Sequence, residues 1–428
     1  MDTELILKKD KKIYKLLTIG IFTIEFVYAM AGTVWSVILP YLMIHYNKSV
    51  TDIGAATSLY GVGSILSVLM LMYLLDRFKK PKVLSFILVV FFIGILLQGL
   101  ASGFYVMPIA YFIFGSAGMA MDTVNSAIIV DIYGDKSKTY INILQGMFGL
   151  GSIMGPLYAQ FIISSGLQWN MTYMFSSAAI AVLFVIYTVL IIINKDSISR
   201  LHHTSNPEKT GNELTIKQFI GRKEVLVTIG AVFLIMGAQN SSTGWLVKYM
   251  KENLQATAEI STLAVTLYFI GVTSTRFTTP ILYKKIEPLK LLIILLGIGS
   301  ATMFAVYMTD NPYLIPIGTF FGGFGIGTAT PVIVSNLCSF FPGQSGRASS
   351  FAFLGMGFSG VTFSFFTAWV ITSFGLKAGV VMASVLMMLS IPFLIKLLKQ
   401  NREFHKNLQD DYECDCPNFE NEIHEPVI

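Results

Sequence analysis

Leu59-Tyr60-Gly61-Val62-Gly63 returns 208 positions later as Leu267-Tyr268-Phe269-Ile270-Gly271, with its Leu, Tyr and last Gly in the same places. Lys82 returns as Lys290 at the same offset. Phe114-Gly115 with Gly118 returns as Phe321-Gly322 with Gly325 at an offset of 207. Gly146-Met147 with Gly151 returns as Gly355-Met356 with Gly360 at 209. Matches kept in order across nearly half a chain imply two parallel repeats.

The 428 residues are 54% hydrophobic and only 13% charged, against the roughly quarter-charged average of soluble domains. Mean hydropathy is +0.66. Twelve apolar runs of helix-spanning length lie at roughly 16–44, 53–75, 83–101, 106–130, 140–163, 171–193, 225–247, 260–283, 289–309, 312–338, 348–372 and 376–398. Barrel strands would be shorter and would alternate in polarity. The expectation is therefore an all-α membrane protein of two pseudo-symmetric six-helix bundles, 1–194 and 225–398. A cytoplasmic linker, 195–224, joins them, and a disordered acidic tail follows at 399–428. An even number of spans puts both termini on one side. Of the 30 Lys and Arg, 25 fall on the terminal side, four (Lys48, Lys248, Lys251 and Lys377) fall on the other, and Arg276 lies within a span. Positive loops face the cytoplasm, so both termini are expected there, in a multi-pass protein of the plasma membrane.

This asymmetry accounts for the net charge of +5 without nucleic acid as a partner. The five histidines, His45, His202, His203, His405 and His424, lie in loops, at span ends or in the tail. No Gly-x-x-x-x-Gly-Lys-Ser/Thr phosphate loop occurs, which speaks against ATP-driven pumping by this chain alone. An enzyme is not expected, nor a cofactor or bound metal. Cys338, Cys414 and Cys416 are too few for a disulfide framework.

Charges within spans are rare because each costs about 3 kcal/mol near the bilayer centre even on lenient scales. Here they are Glu25, Asp122 and Arg276. Counting about 1.5 Å per residue from the flanking charges puts Glu25 and Asp122 at matching depth, about 14 Å from the cytoplasmic end. Two carboxylates in one low-dielectric cavity are suited to load and release a proton. The alternative reading is that each is a neutral acid tying helices together. Asn125, one turn beyond Asp122, Gln145, Gln239 and Asn240 add amides, and Trp245 adds an aromatic face. Amides offer donor and acceptor together, and an indole covers the apolar face of a sugar ring. Arg276 is placed to pair with a carboxylate or bind an anionic solute. Together these six are the solute-binding candidates. Parallel repeats with polar groups at mid-depth are the pattern of secondary transporters.

Leu75-Asp76-Arg77-Phe78-Lys79-Lys80, between the second and third runs, resembles the loop motif of the major facilitator superfamily. The resemblance implies a cytoplasmic gate role for Asp76 and Arg77. Gly118–Asn125 and Asn142–Gly149 are similar to the fucose permease and glucose/mannose proton symporter group, whose first and fourth spans carry acids that Glu25 and Asp122 match. The expected function is alternating-access, proton-coupled uptake of a sugar or similar polar solute by a functional monomer, with protons, solute and lipid as partners. The alternative is proton-coupled export of drugs or metabolites.

Overall fold

A computed structural model describes residues 2–198, 216–341 and 344–414. Twelve helices in it are long and apolar enough to cross a membrane. The spans of the first half are Asp2–Thr33 with Trp35–Tyr46, Val50–Arg77, Lys80–Leu100, Val106–Tyr133, Ser137–Ser164 and Met171–Ile193. Those of the second are Lys223–Gly244 with Leu246–Glu252, Ala258–Leu282, Pro288–Met308, Ile315–Ile326 with Ala329–Ser339, Ser345–Phe374 and Leu376–Cys414. No strand occurs among the described residues.

The repeat reads out directly as packing. Gly63 of the second span lies against the Phe112 carbonyl of the fourth, and Gly271 of the eighth lies against the Phe320 carbonyl of the tenth. Gly115 faces the Tyr60 carbonyl as Gly323 faces that of Tyr268. A side chain at these four positions would strike backbone, so only glycine permits the crossings. All four contacts keep the offset of 208, which corrects the sequence match of Gly115 with Gly322 by one residue. Likewise Gly151 meets the Phe26 carbonyl, while Ser359, and not Gly360, bonds its counterpart on Phe233 at 2.8 Å.

Two long seams join the halves: the second span runs along the eleventh, and the fifth along the eighth. These are one contact applied twice by the pseudo-symmetry. Gly61 sits in the first seam, where a Cβ would meet the Val361 amide and come 2.7 Å from the Gly357 carbonyl. At the end of the bundle away from the chain termini, Thr51 bonds Thr372 (2.8 Å), Thr262 donates to Gln160 (3.2 Å) and Lys251 lies 5.4 Å from the Tyr41 ring centroid. This distal end is thus bridged between the halves. Within the second half, Lys377 and Tyr249 both donate to Asp310 in the distal loop, at 2.8 and 3.3 Å, and Lys377 holds the Asp310 carboxyl below its ordinary range.

Three runs read as continuous are broken. The first span breaks at Val34 and the seventh at Trp245, after the hydroxyl-rich Ser241-Ser242-Thr243-Gly244. Ser241 and Thr243 bond back to the carbonyls of Gly237 and Gln239, which competes with regular helix geometry. The tenth breaks at Gly327-Thr328, four residues before Pro331, whose missing N–H cannot bond the Gly327 carbonyl. The last helix, expected to end near 398, continues to Cys414, since no Gly or Pro interrupts it after Pro392. The rest of the acidic tail, 415–428, lies outside the described residues, as does 199–215 of the linker. The linker's far end is a short helix, Ile216–Ile220, whose Phe219 is buried between Phe341 (4.6 Å) and Phe351 (5.4 Å).

Gly61→Val is expected to lower the thermal midpoint of the purified protein, because overpacking costs about 1–3 kcal/mol. Gly297→Ala, where an added Cβ meets nothing within 4 Å, is the control and leaves it unchanged.

Candidate functional site

A cavity of about 220 Å³ lies between the halves. Its walls come from the first, second, fourth and fifth spans on one side and the seventh, eighth and eleventh on the other. Aromatic rings dominate them. Trp35 meets Tyr111 edge-on at 5.5 Å, Tyr60 lies 5.7 Å from Phe114, and Tyr28 lies 5.9 Å from Phe148. Gln239, Asn240, Thr243 and Ser364 supply polar groups, and none of the described lining residues carries a charge. Two of the three helix breaks, at Val34 and Trp245, fall beside this cavity, so the irregular backbone borders a space between the halves.

The charges lie one or two turns nearer the chain termini on helices that also line the cavity. Glu25 precedes Tyr28 by one turn, Gln145 precedes Phe148 by one turn, and Asp122 and Arg276 follow Phe114 and Phe269 by about two. Glu25 is fully buried, and its Oε2 accepts from Asn125 Nδ2 at 2.8 Å. Glu25 Oε1 and Asn125 Oδ1 are buried without a hydrogen-bond partner among the described residues. Asp122 Oδ1 accepts from Gln145 Nε2 at 3.3 Å. Arg276 donates from Nη1 to the Gln145 carbonyl (3.2 Å) and from Nε to the Gly327 carbonyl (3.1 Å), and it lies over the Phe148 ring at 5.7 Å. The Gly327 carbonyl is the acceptor that Pro331 leaves open. Glu25, Asp122 and Arg276 lie within electrostatic reach of one another, although no direct ion pair joins Arg276 to either acid among the described residues.

The structure therefore divides the sequence candidates. Gln239, Asn240 and Trp245 line the cavity. Asn125, Gln145 and Arg276, expected to bind solute, lie outside the lining and surround the carboxylates instead. Arg276 is held by backbone carbonyls and an aromatic face where a carboxylate or anionic solute was expected. The backbone of Asp76 and Arg77 ends the second span, and their side chains lie outside what is described. Nearby, Lys80 of the same loop pairs with Asp131 at 2.6 Å, tying the start of the third span to the end of the fourth. Of the aromatic walls, sequence reasoning found Trp245 and missed the rest. The one-turn spacing of Tyr28 from Glu25 is the signal that could have singled out another among 33 Phe and 19 Tyr.

The model of the Major Facilitator Superfamily matches residues 21–249 and 227–411. The chain belongs to this superfamily. It is a multi-pass membrane protein of a transporter family, not an enzyme. Its sequence is similar to the glucose/mannose transporter GlcP of Bacillus subtilis (strain 168), 21% identical over 353 residues that span 81% of this chain and 85% of that one. It is also similar to the TsgA homolog of Buchnera aphidicola subsp. Schizaphis graminum, 23% identical over 68% of this chain and 72% of that one. The fold matches the E. coli fucose:proton symporter FucP at a TM-score of 0.58 and 14% identity, covering 90% and 99% of the two chains. The nucleoside transporter NupG gives 0.67 at 12% identity over 90% and 99%. A bacterial homolog of the human lysosomal transporter Spinster, inward-facing and unoccupied, gives 0.63 at 13% over 92% and 98%.

Asn125→Leu leaves a fully buried acid without its donor, which costs about 1–3 kcal/mol and lowers the unfolding midpoint in detergent. Glu25→Gln keeps a hydrogen-bonding side chain opposite Asn125 and is expected to lower it less. Equal losses in the two variants would contradict this account of the pair.

Proposed function

We propose that the chain takes up a neutral, polar solute of about monosaccharide size by alternating access, driven by protons, with both termini cytoplasmic in the plasma membrane. The observation that carries this is an uncharged cavity with amide and aromatic walls set one or two turns from two carboxylates within the spans, Glu25 fully buried and Asp122 half-buried. Tyr28, Trp35 and Trp245 offer faces to a ring, while Gln239 and Asn240 offer donors and acceptors to hydroxyls. At about 220 Å³ the cavity is below the roughly 300–1,000 Å³ usual for drug-sized ligands, and its lining holds no Met. Both points favour a sugar over a bulky hydrophobic export substrate. The glucose/mannose transporter and fucose:proton symporter named above support the same solute class. Glu25 and Asp122 carry the proton, and Asp76 with Arg77 serves the cytoplasmic gate. On this reading the bridged distal end faces outward, and release of its Thr51–Thr372 and Thr262–Gln160 contacts opens the cavity to the outside.

In proteoliposomes with an inward proton gradient, one labelled hexose or deoxyhexose is expected to accumulate, and a protonophore to abolish the accumulation. Glu25→Gln should lose gradient-driven accumulation and retain counterflow exchange. Failure of every such sugar to move, with gradient-driven movement of hydrophobic cations in the opposite direction, would replace this reading by export.

A further inference from the structure

We infer that the Tyr28–Tyr60 hydroxyl pair is a positioning element that ties solute occupancy of the cavity to proton loading of the carboxylates. The inference rests on the proton-coupled reading above and names the residues through which the coupling passes. Both side chains line the cavity, and their hydroxyls lie 3.3 Å apart, one from the first span and one from the second. Glu25 is one turn from Tyr28 on the same helix. Asp122 follows Phe114 by about two turns on the fourth span, and the Phe114 ring lies 6.5 Å from that of Tyr28 and 5.7 Å from that of Tyr60. The pair therefore stands between the uncharged solute space and the charged layer beneath it.

The placement is enforced by packing. The Tyr28 ring is held by Phe91 at 5.5 Å, Phe148 at 5.9 Å and Phe114 at 6.5 Å. A Cβ on Gly118 would come within 2.7 Å of Tyr28 Cε2 and 2.9 Å of its hydroxyl oxygen. Gly118 lies one turn before Asp122 on the fourth span, so the helix that carries one acid also cradles this hydroxyl. A phenol has one proton to donate, and two phenols that share one hydrogen bond keep a second proton free. That free O–H can serve either a solute hydroxyl or the acids. Occupancy of the cavity thus changes the hydrogen bonding open to Glu25 and Asp122, whose other neighbours are Asn125, Gln145 and, through Gln145, Arg276.

An internal control exists in the same cavity. Tyr111 also lines it and has its own partner, Tyr173, at 3.4 Å, but it stands about three turns from Asp122 on the fourth span, toward the distal end. Wild type, Tyr28→Phe, Tyr60→Phe and Tyr111→Phe would be compared in proteoliposomes with the hexose that wild type accumulates. Gradient-driven accumulation should fall about tenfold in the first two variants, the upper end of what losing one hydrogen bond produces. Their counterflow exchange should persist with a displaced pH profile. Tyr111→Phe should change solute affinity and keep both the accumulation ratio and the pH profile. Wild-type-like accumulation in Tyr28→Phe and Tyr60→Phe would overturn the inference and leave proton coupling standing. Loss of counterflow together with accumulation would also overturn it, by making the pair structural. If wild type itself accumulates sugar with no dependence on protons, the coupling reading fails first.

Discussion

The hydrocarbon core of a bilayer offers no water, so every polar group within it must find its partner inside the protein. Arg276 shows what that constraint builds. Its guanidinium has five N–H donors and never deprotonates in practice, so it demands acceptors wherever it sits. Pro331 frees the Gly327 carbonyl in its own half, and the Gln145 carbonyl presents itself from the other half. One cation is thereby shared by both bundles at the level of the buried acids. Gln145 completes the link, because the residue whose carbonyl receives Arg276 also donates its side-chain amide to Asp122.

The pseudo-symmetry and this cluster pull in different directions. The repeat makes the two long seams equivalent, the second span on the eleventh and the eighth on the fifth. Glycine crossings at Gly63, Gly115, Gly271 and Gly323 give each half the same rigid internal frame. The charges break the symmetry: both acids belong to the first half and the cation belongs to the second. Under the proposed alternating access, motion of one half against the other changes the distance between opposite charges in a low-dielectric setting, where such changes carry large energies. On that proposal, a symmetric frame with an asymmetric charge set across its boundary makes conformation sensitive to protonation.

The repeat, the twelve spans and the three charges within spans were legible in the sequence because each rests on composition or spacing along one helix. Positions set by contacts between helices were not. Gly115 pairs with Gly323 in packing although the local sequence match favours Gly322, because Phe321-Gly322 imitates Phe114-Gly115 one residue out of register. The break at Gly327 depends on a proline four residues on, and its acceptor is used by an arginine 51 positions away. Asn125 and Gln145 were singled out as solute-binding groups, yet each bonds a carboxylate outside the cavity lining, an orientation that helix rotation decides. Apart from Trp245 and Tyr28, the aromatic walls gave no signal because lipid-facing and cavity-facing rings have the same composition; Phe161 is 67% exposed while Phe114 is 5% exposed beside the cavity.

On the proposed reading, the separation of an uncharged cavity from a charged layer has a physical reason. A neutral polar solute is served by amides, which both donate to and accept from hydroxyls. Carboxylates that exchange protons need the opposite setting: a site where charge is costly enough that its neutralisation matters. Placing the two on the same helices a turn or two apart satisfies both demands and leaves only a short gap to bridge. Asn240 faces open space at one boundary of the cavity, while Glu25 is fully enclosed beyond the other. Side chains that border both environments, with an apolar ring on one and a hydroxyl toward the other, are suited to that gap, and tyrosine is the residue type found there.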